Sequence, residues 1–118
     1  MRTREFEIAG RVFLLVMNNQ VLEGMERQGI NLQDIGSDKP VSNLLCLLHL
    51  MITGGRDYAA LTGAGDYPEI SAEHLAILTG PEDYGRILEA ITEVATGERR
   101  VDATPPKKAD PADGGQTV

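Results

Sequence analysis

The stretch LLCLLHLMI, from Leu44 to Ile52, determines how the rest of the chain has to fold. Eight of its nine residues are apolar, and the remaining one is His49. Nine helical residues rise about 13 Å, whereas the hydrocarbon core of a bilayer is about 30 Å thick. The stretch is therefore too short to cross a membrane, and it predicts a helix that is buried inside a protein.

The side chains of this helix divide into two faces at about 3.6 residues per turn. One face is a narrow polar stripe, and the other is an apolar arc wider than the stripe of about 100° that a surface helix needs. Either the whole arc is covered, as in a central core helix, or part of it is left for a partner helix or a second copy of the chain. The polar stripe consists of Ser42, His49 and Thr53 together with the small Cys46, and the arc is centred on the candidate partner-binding residues Leu44, Leu47, Leu48 and Met51.

Cys46 and His49 lie on one face of the predicted helix, as a shared metal ion or a nucleophilic pair would require. A structural zinc site needs further ligands, and only His74 or a nearby carboxylate is available. A nucleophilic pair needs an orienting group and an oxyanion site, and no motif in the chain supplies them. The residues therefore predict no catalytic site, no metal site and no cofactor, and an enzyme that uses Cys46 and His49 is the least favoured alternative.

The segment before the central helix has the pattern of a β-hairpin. Phe6 and Ile8 alternate with acidic residues, Ala9-Gly10 provides a turn, and the apolar run Val12 to Val16 follows. Because the second run is apolar at successive positions, we expect a helix to cover its inner face.

Start and stop signals divide the rest of the chain into about four to five helices. Asp38 before Lys39-Pro40 predicts the start of the central helix, and Gly54-Gly55 predicts its end. The predicted fold class is α+β, mainly α, with a short N-terminal β-hairpin packed on a helical bundle. The other predicted segments are a helix from Asn18-Asn19 to Gly29, a short helix in RDYAALTG (56–63), a loop in AGDYPEI (64–70), a helix capped by Ser71, and a last helix from Gly80-Pro81 to Gly97.

The net charge of -7 belongs to residues 1–97, because residues 98–118 contain equal numbers of acids and bases. Such a charge repels nucleic acid. Residues 98–118 have two valines as their only large apolar residues, so they are predicted to form a disordered tail or linker after a folded domain at 1–97. The single cysteine and the lack of a leader pattern favour a cytoplasmic protein. Four acids are expected on the exposed side of the last helix: Glu82, Asp83, Glu89 and Glu93.

The order of these elements resembles that of the tail assembly chaperones of long-tailed bacteriophages. The likeness covers roughly residues 4–96, and Val16-Met17-Asn18 departs from the family's usual aromatic-Asn step. Its segments are FEIAGRVFLL from Phe6 to Leu15, NNQVLEGME from Asn18, the apolar helix at 44–52, Tyr58, and the segment Ser71 to Leu78.

The resemblance implies binding and no catalysis. Proteins of this family hold the long, helix-rich tape measure protein in the cytoplasm of the infected cell until tail tube subunits polymerise around it, and they act as several copies. Many also have a longer form, made by a -1 ribosomal frameshift, that contacts the tail tube protein. Pro106-Lys107-Lys108 is compatible with such a frameshift, and with an ordinary solvated tail. The alternative function is a small adaptor or regulatory subunit of a bacterial complex.

Overall fold

The computed structural model describes residues 1–97, and within them the fold is α+β, mainly α, as predicted. The predicted disordered tail at 98–118 lies outside the described residues. The elements are strands β1 (Thr3–Ile8) and β2 (Arg11–Val16) and helices α1 (Asn19–Gln28), α2 (Val41–Thr62), α3 (Ala72–Leu78) and α4 (Tyr84–Thr96), with short 3₁₀ helices at Leu32–Asp34 and Pro81–Asp83.

The two strands form the predicted antiparallel hairpin, with Phe6 opposite Phe13 and Ile8 opposite Arg11. Its two-residue turn places Ala9 at φ 52° and Gly10 at φ 80°, both in the left-handed region that the tightest hairpin turns require. One face of the hairpin packs towards α4, where the Arg86 guanidinium lies 4.4 Å from the centre of the Phe6 ring. The other face packs on α2, so a helix covers β2 as expected.

Helix α2 continues through Gly54-Gly55, so the predicted helix end at these glycines is wrong. A Cβ atom on Gly55 would collide with the carbonyl oxygen of Leu14, and one on Gly54 would lie 2.7 Å from Cγ2 of Val21. The glycines therefore allow β2 and α1 to approach the helix backbone closely. The RDYAALTG segment is the last part of α2 and not a separate helix, and α2 ends at Gly63 with φ 76°.

The predicted cap of α2 is also wrong. The residue before the first helical residue is Pro40, and no side chain caps the helix there. Asp38 lies two residues further upstream, where its carboxylate is out of register with the free amides of the first turn. The caps predicted for other helices are confirmed: Asn18 accepts a hydrogen bond from the Val21 N–H at 3.1 Å, and Ser71 accepts one from the His74 N–H at 3.0 Å.

The central helix lies in the middle of the core, in contact with β2, α1, α3 and α4. Loop 64–70 returns the chain from α2 to α3, as predicted, and buries Ile70. The turn Pro81–Asp83 precedes α4, which ends at Gly97 in the left-handed region as predicted. None of the helices within residues 1–97 is both long and apolar enough to span a membrane.

Candidate partner-binding groove

The four residues predicted to bind a partner lie in the core of the folded chain. Leu44 is 6% exposed, and Leu47, Leu48 and Met51 are 0% exposed. The structure therefore favours the first alternative for the apolar arc, a central core helix covered on several sides. Most of the apolar surface that a partner can reach must therefore come from other residues.

A first cavity of about 200 Å³ lies beside the start of α2. Its floor is Leu44, one wall is the segment from Gly36 to Val41, and the other wall is the start of α4, from Tyr84 to Leu88. Val41 is 38% exposed at the edge of this cavity. Leu44 is thus the point where the predicted partner-binding residues meet an open cavity.

A second cavity, also of about 200 Å³, continues along the same helix. Leu32, from the 3₁₀ helix that follows α1, and Ile35, the residue after that helix, form one wall. Leu88, Ile91 and Ala95 of α4 line the other side. Leu88 lines both cavities, which therefore lie side by side along α4 from Tyr84 to Thr96, a rise of about 18 Å. We call the two cavities together the α4 groove.

The groove exists because the apolar arc of α4 is wider than the surface that the core covers. Tyr84 and Leu88 form a neighbouring stripe that is only half-buried. Both residues recur at helical spacing with the buried ones, but periodicity identifies a face and not the amount of cover. The fully covered residues of α4 are Ile87, Ala90, Ile91 and Val94.

Two charged residues of opposite sign flank the α4 groove. Lys39 lines the first cavity from the segment that precedes α2. Glu89 is exposed and lies on one stripe of α4 with Gly85 and Thr92, which line the first and second cavity. Neither residue takes part in the ion pairs found within residues 1–97. Both charges are therefore available to a bound partner.

The prediction that the acids of the last helix all point to solvent is not correct for every one of them. Glu93 forms an ion pair of 2.6 Å with Arg4 of β1, and its side chain is only 14% exposed. Asp83 accepts hydrogen bonds from the Gly80 N–H and from Arg86, and these two contacts lower the pKa of its carboxyl. The prediction is wrong for Glu93, because its partner lies 89 residues away in the sequence.

Cys46 and His49 are half-buried on the polar stripe of α2. Burial raises the pKa of the Cys46 thiol, the opposite of what activates a cysteine nucleophile. His49 and His74 line a separate cavity of about 430 Å³ with Arg11 and Glu69. Within residues 1–97 no group of three or more His, Cys, Asp and Glu side chains is arranged to hold a metal ion.

Comparisons with protein-family models, with curated proteins and with solved structures found no significant match to this chain. The interpretation of the site therefore depends on its own geometry. An apolar groove about 18 Å long, with one acid and one base at its edges, is suited to binding a short amphipathic segment by burial of apolar side chains.

Proposed function

We propose that this protein is a non-enzymatic tail assembly chaperone of a long-tailed bacteriophage. In this role it binds the tape measure protein in the cytoplasm of the infected cell and keeps it soluble until tail tube subunits polymerise around it. The observation that supports the proposal most directly is the α4 groove, which is apolar, is open to solvent and extends along the whole of α4.

The shape of the groove favours a helical client. Its two cavities lie in a line along α4, and the groove side chains of that helix recur at the spacing of helical turns. A helix packed alongside would bury the half-exposed side chains of Tyr84 and Leu88 together with Leu32 and Val41. A tape measure protein is long and rich in helices, so it offers many such segments.

The charge of the protein supports a role in solubility. Residues 1–97 have a net charge of -7, and charge of one sign keeps protein complexes apart in solution. A client covered by several copies would lose exposed apolar surface and gain negative charge. The longer frameshifted form that contacts tail tube protein belongs to the same proposal, and its junction near Lys107 lies outside the described residues.

The test is co-expression of the protein with a tape measure protein that precipitates when it is made alone. We expect the native chain to keep the client soluble and Leu88→Glu to lose this activity. The matched control is Leu61→Glu, because Leu61 is 90% exposed on α2 and lies outside both cavities. If the native chain leaves the client insoluble, the proposal fails; if both variants behave alike, the α4 groove is not the site that binds the client.

The same groove would also suit a small adaptor subunit of a bacterial complex. The two functions differ in the client and not in the surface. A stable complex with a host protein that requires Leu88, together with no effect on the tape measure protein, would favour the adaptor. Gene order separates them independently, since a tail chaperone gene is expected between the genes for the tail tube and the tape measure proteins.

A further inference from the structure

We propose that the α4 groove recognises a single amphipathic helix through two large apolar side chains placed seven residues apart, with a small residue between them. The proposal deepens the proposed function and depends on it, because it states the chemistry of the client segment. The occupant is a helix of another protein that has a basic side chain opposite Glu89.

The spacing follows from where the two cavities lie on α4. The first lies around Tyr84 and Leu88, and the second extends from Leu88 to Thr96. Their midpoints are separated by about six to seven residues of helix, which corresponds to a rise of about 10 Å. Side chains at positions i and i+7 of a second helix have nearly the same separation, about 10.5 Å. A helix aligned with α4 would therefore insert one side chain into each cavity.

The size of each cavity sets the kind of side chain. Each is about 200 Å³, and a protein cavity of about 150 Å³ lined by apolar residues accommodates benzene. One leucine, methionine or phenylalanine side chain is thus suited to each cavity. Leu88 lies between the two and acts as a partition. The partner residue that faces Leu88, at i+3 or i+4, has to be small, such as alanine or serine.

The charges at the edges of the groove indicate the partner's polarity. Glu89 is near the partition on the α4 side, and Lys39 is on the opposite wall of the first cavity. A partner helix with a base beside its small residue would pair with Glu89. An acid at the end of that helix in the first cavity would pair with Lys39. A second copy of this chain is a poorer occupant, because both copies would have a net charge of -7 over residues 1–97.

The experiment uses synthetic alanine-based helices of about 20 residues, long enough to be helical in water. The matched helix has leucines at i and i+7, alanine between them and the two complementary charges. Control helices move the second leucine to i+5, on another face, or reverse the charges. Each is titrated into the isotopically labelled full chain, and amide shifts report the site and the dissociation constant.

We expect the i, i+7 helix to bind at least about tenfold more tightly than the i, i+5 helix. In the complex with the i, i+5 helix, the second leucine stays in water. Leu88→Glu should abolish binding. Val41→Glu and Leu32→Glu should each weaken it, because each places a charge at one cavity, and both positions are exposed enough for the fold to tolerate them. Glu89→Lys should remove the charge preference, because both edges of the groove then have a base and each helix makes one favourable and one unfavourable contact. Leu61→Glu should bind normally.

Equal binding of the two spacings, or amide shifts that avoid α4, would overturn the proposal. So would a concentration-dependent dimer, seen by sedimentation, that Leu88→Glu dissociates, because a second copy would then occupy the groove. Failure of this inference is distinguishable from failure of the proposed function. If the spacing rule holds and the tape measure protein stays insoluble, the proposed function fails alone; if the client is solubilised by Leu88→Glu as well, the groove is not its site.

Discussion

Two regions of the molecule differ in how closely an element packs on a helix. One is the contact of β2 with α2, and the other is the α4 groove. At Gly54-Gly55 the strand approaches so closely that a single methyl group does not fit on the helix. Along α4, the segment from Leu32 to Val41 packs loosely and leaves two cavities of about 200 Å³ each. Both contacts involve apolar residues, so composition does not distinguish them.

The difference shows which part of the fold has a structural role and which part is free to bind. The close contact buries the backbone of β2 against the middle of the core, and its geometry tolerates little change. The α4 groove exposes apolar side chains at a cost in stability that a packed helix would avoid, and such surface is typical of binding sites. Substitutions in the two regions should therefore differ in size and in kind.

The largest effect is expected for Gly55→Ala. The added Cβ collides with the backbone carbonyl of Leu14, which a rotamer change does not relieve, so the free energy of unfolding should fall by about 5 kcal/mol. Chemical denaturation measures it. The matched control is Gly85→Ala in the wall of the α4 groove, where an added Cβ meets no atom within 4 Å. This control should gain up to about 1 kcal/mol from helix propensity. If both variants are stabilised, the close contact does not exist.

The second prediction compares two leucines. Leu47→Ala removes a fully buried side chain from the core and should lower the free energy of unfolding by about 2 to 5 kcal/mol. Leu88→Ala removes a half-buried side chain that already borders empty space, and should cost about 1 kcal/mol. Thermal or urea unfolding of the two variants checks the difference. A loss below about 0.5 kcal/mol for Leu47→Ala would contradict its place in the core.

A smaller gain is expected at the hairpin turn. Ala9 has φ 52°, a left-handed conformation that asparagine adopts more readily than alanine. Ala9→Asn should therefore raise the free energy of unfolding by about 1 kcal/mol or less, with no change in binding at the α4 groove. The control is Gly10→Ala, which places a second alanine at φ 80° and should destabilise the hairpin. An Ala9→Asn variant that is less stable than the native chain would show that the turn has another geometry.

The smallest effect concerns pH. The Gly80 N–H and Arg86 lower the pKa of Asp83 below its unfolded value, so its contribution to stability is present above the unfolded pKa of about 3.9 and is lost as pH falls through the folded pKa. Stability curves of the native chain and Asp83→Asn should converge in acid and separate towards neutral pH. Identical pH dependence of the two proteins would exclude this role for Asp83 at the start of α4.

Features that depend on neighbours in sequence could be predicted from the sequence. The caps at Asn18 and Ser71 and the helix ends at Gly29 and Gly97 involve bonds within a few residues, and the sequence signals for them are confirmed. The hairpin and the buried central helix follow from apolar periodicity, which depends only on backbone geometry. Leu44, at the floor of the groove, belongs to the predicted apolar arc.

The remaining features depend on what packs against each element, and only the tertiary structure decided them. Gly54-Gly55 reads as a helix end, yet the close approach of β2 stabilises the helix there more than glycine's freedom disfavours it. The sequence pattern predicts that Glu93 is exposed, whereas the fold places Arg4 of β1 against it. The α4 groove opens because the segment before α2 covers only part of an apolar face. A sequence specifies which side chains avoid water, whereas the amount of cover each receives is set by distant segments that share no local signal with it.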